Sequence, residues 1–148
     1  MSIAVITGAS SGIGREFVNK LSSYFNNITE ITLTDSVVLD KTELARMTRM
    51  AALFAKQSGG SVVCEANADE GKFSVMAVAS ELGENVSSIE TKIDASDKVT
   101  LNSRYLLDVI NVLQDTEMKF SFSGKLAPVV IRQIKNDNYT HIVMPLKS

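Results

Sequence analysis

From Ser36 onward the sequence predicts the same order of elements twice, namely a strand, a helix and three strands. Apolar residues spaced three and four apart mark both helices, and alternating apolar and polar residues mark most of the strands. The predicted elements span residues 36–39, 41–57, 61–66, 72–79 and 86–93 in the first half, and 99–101, 103–114, 117–123, 126–134 and 139–146 in the second. A unit that occurs twice in one chain indicates a pseudo-symmetric domain.

The first predicted helix separates an apolar face from a basic face. The apolar face consists of Leu44, Met47, Ala51, Phe54 and Ala55. The basic face, nearly opposite, consists of Arg46, Arg49 and Lys56. Two helices packed side by side on a sheet made by both halves would bury both apolar faces. The predicted fold class is therefore α+β, with two βαβββ halves and two helices on an antiparallel sheet.

Both ends of this first helix carry termination signals. Asp40 followed three residues later by Glu43 has the spacing of a capping box, in which each side chain bonds the backbone of the other. Ser58, Gly59 and Gly60 predict the end of the helix, because glycine readily adopts the left-handed conformation that stops one.

Residues 99–148 carry two motifs that resemble those of a known family. The motifs are Leu101-Asn102-x-x-Tyr105-Leu106-Leu107-Asp108-Val109 and Ile142-Val143-Met144-Pro145-Leu146. In order and spacing they resemble the last domain of the bacterial DNA polymerase III β subunit, the sliding clamp. The likeness covers about residues 36–148 and is weaker in the first half. It implies a sliding-clamp-like fold and a non-enzymatic processivity-factor domain of DNA replication.

The resemblance also implies two binding surfaces. Clamp helices line the inner wall of a ring, which would make Arg46, Arg49, Lys56 and Arg104 sequence-independent contacts to DNA phosphates. Clamps also bind short linear motifs of polymerases and repair proteins in an apolar groove between their last two domains. The groove residues carried over by position are Asn102, Tyr105, Leu126, Pro128, Ile142, Val143, Met144, Pro145 and Leu146. The alternatives are a solvated helix face and ordinary packing at the edge of the core.

Residues 1–34 predict a different unit, a strand, a glycine-rich turn, a helix and a second strand. Glycines let the backbone approach a pyrophosphate at a helix N-terminus, and an acid about 20 residues later meets a ribose hydroxyl. The candidate dinucleotide-binding residues are Gly8, Ser10, Gly12, Ile13, Gly14 and Asp35.

This N-terminal stretch resembles short-chain dehydrogenases/reductases, whose Thr-Gly-x-x-x-Gly-x-Gly pattern matches residues 7–14. The catalytic Tyr-x-x-x-Lys of that family is absent from the sequence, so we expect no catalytic residues. The residues found four positions after Tyr24, Tyr105 and Tyr139 are Ile28, Val109 and Val143. We expect a chimera, natural or engineered, of a Rossmann-like fragment at residues 1–34 and a clamp-like domain at residues 35–148. The alternatives are an NAD(P)-binding fragment and a protein without native activity.

Composition limits the remaining functions. The net charge of −2 argues against a globally basic nucleic-acid binder, so we expect weak binding of double-stranded DNA, at low salt and on a local face. The single Cys64 excludes an internal disulfide, and His141 has no second His or Cys nearby for a metal site. We expect His141 at the surface or at a sheet edge.

The expected location is the cytoplasm, since no apolar run reaches the length of a membrane span. The expected partners are clamp-binding peptides, weakly bound DNA and a second copy of the chain at an uncovered strand edge, with no cofactor and no membrane.

Overall fold

A computed structural model describes residues 3–7, 35–122, 124–135 and 139–147 of the chain. The first half contains β2 (Asp35–Asp40), α1 (Lys41–Phe54), β3 (Ser61–Asn67), β4 (Lys72–Ala79) and β5 (Gly83–Glu90), preceded by β1 (Ile3–Thr7). The second half contains β6 (Asp97–Asn102), α2 (Ser103–Val112), β7 (Glu117–Phe122), β8 (Val129–Gln133) and β9 (Tyr139–Val143). The predicted order of strand, helix and three strands is confirmed in both halves.

The strands form two sheets, and each half contributes its first strand to the sheet of the other half. The first sheet has the order β1-β9-β8-β7-β2, and the second has the order β5-β4-β3-β6. Thus β2 pairs antiparallel with β7, and β6 pairs antiparallel with β3. The predicted α+β architecture is confirmed, with its antiparallel strands divided between two sheets that the exchanged strands tie together.

The start of α1 differs in detail from the predicted capping box. The Asp40 carboxylate accepts a hydrogen bond from the backbone N–H of Glu43 at 2.9 Å, as an N-cap should. The Glu43 carboxylate does not reach back to Asp40 and instead pairs with Arg46 at 2.9 Å. Glu43 therefore pairs with Arg46, three residues later on the same helix face, and does not form the reciprocal bond of a capping box.

The end of α1 lies close to the predicted glycine stop. The α-helix ends at Phe54, and a 3₁₀ turn from Ala55 to Ser58 tightens the chain before Gly59. Gly59 has a φ of 67°, the left-handed conformation that glycine adopts at little steric cost. The helix is thus three residues shorter than the sequence pattern predicts, because its last turn is 3₁₀.

The hydrophobic core lies between the helices and the two sheets. The apolar face of α1 is buried as predicted at Leu44, Met47 and Ala51. Phe73 of the second sheet contacts Phe120 of the first edge to face, with ring centroids 5.3 Å apart. Phe120 also contacts Phe122 at 5.6 Å. These three fully buried rings connect the two halves in one core.

Strand β1 extends the first sheet by pairing in parallel with β9, from Ile3 beside Tyr139 to Thr7 beside Val143. This places β9 inside the sheet, between β1 and β8. The expectation that His141 lies at the surface or a sheet edge is therefore wrong, because its strand has a neighbour on each side and only 3% of the residue is exposed. The helix and second strand predicted within residues 8–34 lie outside the described residues.

Several further boundaries differ from the prediction by up to three residues, among them the start of β8, which is Val129 and not residue 126. Strand β5 begins at Gly83 rather than at residue 86, because the turn before it occupies residues 80–82. Strand β9 ends at Val143, and residues 144–147 continue without strand pairing. Polar turn residues in the sequence do not show on which side of a turn the ladder of hydrogen bonds resumes.

We expect Phe120→Ala to lower the free energy of unfolding by about 3–5 kcal/mol, since it removes the ring that contacts both other phenylalanines and leaves a cavity. Urea unfolding monitored by circular dichroism measures this change. The matched control is Leu126→Ala, whose side chain is 60% exposed and which should change stability little. Equal stability losses in the two variants would contradict the central role of Phe120.

Candidate functional sites on the helix face and at the C-terminal segment

The start of α2 is attached to the glycine stop that follows α1. The Asn102 side-chain oxygen accepts the backbone N–H of Arg104 at 2.9 Å and caps the helix. The backbone N–H of Ser103 donates to the carbonyl of Gly60 at 2.8 Å. Glycine suits position 60, because a Cβ there would lie 3.4 Å from the Ser103 hydroxyl and the φ of +86° is one that other residues rarely adopt. The predicted groove residue Asn102 therefore has a structural role as the cap of α2, and the bond from Ser103 to Gly60 connects the start of α2 to the end of α1.

A cleft of about 650 Å³ lies between the end of α1 and the start of α2. It brings together Lys56 and Arg104, two of the four basic residues predicted to face DNA, with the carboxylate of Asp108 at the same cleft. Arg46 and Arg49 lie exposed on α1 outside this cleft. Arg46 is partly neutralised by its ion pair with Glu43, which leaves Arg49, Lys56 and Arg104 without a recorded ion pair among the described residues.

The C-terminal segment runs beside β6 and towards the start of α2. The backbone N–H of Leu146 donates to the carbonyl of Thr100 at 2.8 Å, two residues before Asn102. Val143 pairs with Val129, so Met144 and Pro128 lie next to that pair at one end of the sheet. The structure thus gathers most of the predicted groove residues at one end of the molecule.

The predicted groove residues differ sharply in how much surface they present. Ile142, Val143, Met144 and Pro145 are buried. Asn102, Tyr105, Pro128 and Leu146 are half-buried, and Leu126 is exposed. Sequence position could not separate the buried from the accessible residues of the predicted groove, because alternation along a strand does not reveal that both of its faces are covered.

Two residues that the sequence did not assign to a binding surface contribute to this end of the molecule. Gly60 and Thr100 supply the backbone carbonyls that hold Ser103 and Leu146. The signal available in the sequence was the glycine pair after α1, which predicted a helix stop but not a contact with the second helix. Every residue has a backbone carbonyl, so the residue type of Thr100 could not predict its contact with Leu146.

A model of the family described as the DNA polymerase III beta subunit, C-terminal domain, matches residues 32–147 of the sequence. The chain belongs to this family. The match begins just before β2 and continues through β9, so it includes both βαβββ halves and both candidate surfaces.

Beta sliding clamps from two staphylococci are similar in sequence to this family member. The clamp of Staphylococcus aureus strain Mu50 is 21% identical over 116 residues, which cover 74% of this chain and 29% of the relative. The clamp of Staphylococcus epidermidis is 20% identical over 104 residues, which cover 66% of this chain and 26% of the relative. The chain thus spans less than a third of the length of the curated relatives it matches.

Solved clamps have the same fold as this chain. The DNA polymerase III beta subunit of Thermotoga maritima gives a TM-score of 0.76 at 21% identity, covering 84% of this chain and 34% of that one. The sliding clamp of Bacillus subtilis gives 0.73 at 21% identity, covering 80% of this chain and 32% of that one.

The candidate dinucleotide-binding residues receive no support from the described structure. Residues 8–14, which include five of the six, lie outside the described residues. Asp35 begins β2, where its backbone is opposite Phe122 of β7. Among the described residues no group of three or more His, Cys, Asp or Glu could hold a metal ion. None of the helices in the described ranges is long and apolar enough to cross a bilayer.

Two buried titratable side chains of the clamp-family domain have perturbed pKa values. Burial raises the pKa of the Cys64 thiol to about 12, so the thiolate required for nucleophilic chemistry is not formed near neutral pH. Burial lowers the pKa of His141 below its ordinary value of 6.5, and the negative charge of Asp108 opposes this effect less strongly. His141 Nδ1 lies 2.9 Å from the Tyr139 hydroxyl, and its buried Nε2 has no hydrogen-bond partner within the part of the chain that the structure describes.

We expect the clamp-family domain to lose stability as the pH falls below 6.5. The folded state holds His141 with a lowered pKa, so the unfolded state binds the proton first and is favoured until the folded pKa is reached. Well above pH 6.5 neither state binds the proton, and this contribution vanishes. Urea unfolding from pH 7.5 to pH 5, compared between the parent and His141→Gln, isolates the effect on the free energy of unfolding.

His141 is the single histidine of the sequence, so an NMR titration of the imidazole protons reports this residue alone. A titration midpoint at or above 6.5 in the folded protein would contradict the lowered pKa.

Proposed function

We propose that this chain provides a non-enzymatic, clamp-type module of DNA replication, a domain of a processivity factor. The observation that carries the proposal is the family match over residues 32–147, which covers both halves of the fold. The module would present its helices to DNA and one part of a groove to short peptides. The function requires no cofactor, and the candidate dinucleotide loop has no part in it.

The DNA-facing surface would consist of Arg49, Lys56 and Arg104. All three side chains are exposed, and Lys56 and Arg104 share the cleft between the helices. Such contacts neutralise phosphates without reading bases, so binding should depend strongly on salt and little on sequence. One domain cannot enclose a duplex, and the overall charge of −2 adds a small repulsion. We therefore propose weak binding, detectable at low salt.

We expect the triple variant Arg49→Gln, Lys56→Gln and Arg104→Gln to weaken binding of double-stranded DNA at low salt. Each lost phosphate contact should reduce the slope of log affinity against log salt by about 0.9. Fluorescence anisotropy of a labelled duplex across a salt series measures both quantities. The matched control is Lys119→Gln, a cation on a strand of the first sheet. Salt-independent binding, or an equal effect of the control, would count against a DNA-facing helix surface.

The peptide-binding surface would use the accessible members of the predicted groove, Tyr105, Leu126, Pro128 and Leu146, with Asn102 as a polar group at the helix start. The hydrogen bond from Leu146 to Thr100 holds the tail against β6 and supports this role. The four remaining predicted residues, Ile142 to Pro145 in sequence, would act as the buried support beneath this surface. An apolar floor with few polar groups suits an extended peptide with aliphatic or aromatic anchors.

We expect Leu146→Ala to weaken binding of a labelled peptide that carries a polymerase clamp-binding motif. A half-buried leucine contributes about 1 kcal/mol to apolar contact, which corresponds to a roughly fivefold higher Kd. Fluorescence anisotropy measures the Kd, and Leu82→Ala is the control because Leu82 is 65% exposed and lies in the turn before β5. Absence of saturable binding up to millimolar concentrations would remove the groove from the proposed function.

The proposed domain organisation is a chimera of a dehydrogenase-like fragment at residues 1–34 and the clamp-like domain at residues 35–148. Support for the division comes from the family match, which begins at residue 32, and from β1, which joins the sheet of the domain in parallel. All the other strand pairs recorded in the described residues are antiparallel. The parallel pairing of β1 at the edge thus distinguishes it from the other described strands.

The remaining partners and the location follow from the same proposal. A replication module would act in the cytoplasm, without contact to a membrane. A second copy of the chain could pair with β5, which ends the second sheet and has an exposed valine at position 86.

A further inference from the structure

The face of the first sheet that points away from the helices carries a row of cations. In the sheet register Val38 of β2 lies beside Lys119 of β7, and Lys119 lies beside Arg132 of β8. Their chain neighbours Leu39, Met118 and Ile131 point to the opposite face, into the core. Side chains alternate along a strand, so Lys119 and Arg132 are directed outward, next to each other.

A third cation reaches this face from the connection between the two halves. The Thr91 hydroxyl donates to the carbonyl of Val38 at 3.0 Å, which attaches the connection to the edge of β2. Lys92 follows directly and lines the same cleft as Lys119 and Arg132. The cleft has a volume of about 580 Å³, and Asp94 is the one carboxylate among its described lining residues.

These cations form no ion pair with another described residue. Among the described residues the ion pairs within 4.0 Å involve Arg46, Lys72 and Lys98, and none involves Lys92, Lys119 or Arg132. Like charges directly opposite each other on neighbouring strands destabilise a sheet. An anion bound between Lys119 and Arg132 would relieve this repulsion and gain charge-assisted hydrogen bonds.

We propose that this cleft binds an acidic peptide segment of a partner protein. Cross-strand neighbours have Cβ atoms about 5 Å apart, a spacing at which one carboxylate can reach both the guanidinium of Arg132 and the ammonium of Lys119. Val38 and Ile134, each 45% exposed, line the cleft and provide apolar contact for an aliphatic side chain beside the carboxylate. None of the described lining residues is aromatic, so the cleft lacks the stacking surface with which proteins bind single-stranded nucleic acid.

This site is separate from the surfaces of the proposed function. It lies on the outer face of the first sheet, whereas Arg49, Lys56 and Arg104 belong to the helix side of the domain. Binding at this cleft can therefore be tested independently of clamp activity. The variants of each surface serve as controls for the other.

The probe is a short labelled peptide that alternates glutamate with leucine, titrated at low salt and followed by fluorescence anisotropy. We expect saturable binding that weakens as salt rises, and roughly a tenfold increase in Kd in the double variant Lys119→Gln and Arg132→Gln. Arg49→Gln should leave the Kd unchanged, because Arg49 lies on α1 away from the cleft. A peptide with glutamine in place of glutamate should not bind.

Lys92→Gln provides a second test that leaves the strands intact, since Lys92 lies outside every strand and helix. Lys92→Gln should also raise the peptide Kd. This test remains valid if the double variant alters the sheet. A peptide Kd that neither Lys92→Gln nor the double variant changes would overturn the proposal. A single-stranded oligonucleotide is tested in the same way. If it binds more tightly than the acidic peptide, and if the same variants abolish that binding, the ligand is nucleic acid and the peptide proposal is wrong.

Discussion

The contact between Phe73 and Phe120 is the interaction on which the rest of the fold depends. Phe73 belongs to the sheet built on the first half, and Phe120 to the sheet built on the second, yet their rings meet edge to face at 5.3 Å. The exchange of β2 and β6 joins the two sheets, because β2 pairs with β7 and β6 pairs with β3. The buried apolar residues of both halves form a single core.

The two candidate helix-side surfaces follow from this exchange. Strand β6 leads directly into α2, so pairing β6 with β3 brings the start of α2 next to the glycine stop after α1. The hydrogen bond from Ser103 to Gly60 fixes that approach and creates the cleft that holds Lys56 and Arg104. The same strand accepts the C-terminal segment at Thr100. The positions of the basic helix face and of the predicted groove residues thus both depend on one strand pairing.

The addition of β1 changes the character of β9. With a neighbour on each side, β9 is an internal strand, and His141 loses contact with water. Charging a buried imidazole is unfavourable, which lowers the pKa of His141. The free energy of unfolding therefore depends on pH through this residue. The sheet face away from the helices remains accessible near β2 and β7, where Lys119 and Arg132 lie side by side.

Local pattern was sufficient for the order of elements, the apolar face of α1, the glycine stop and the family, because each depends on residues close together in the sequence. The groove remains a prediction from the family resemblance, and four of its nine residues proved to be buried. Periodicity reports which side of an element is apolar and not which strand will lie beside it. The division into two sheets, the burial of His141 and the row of cations depend on such pairings. They arise between residues as distant as Val37 and Phe120, and only the tertiary structure decided them.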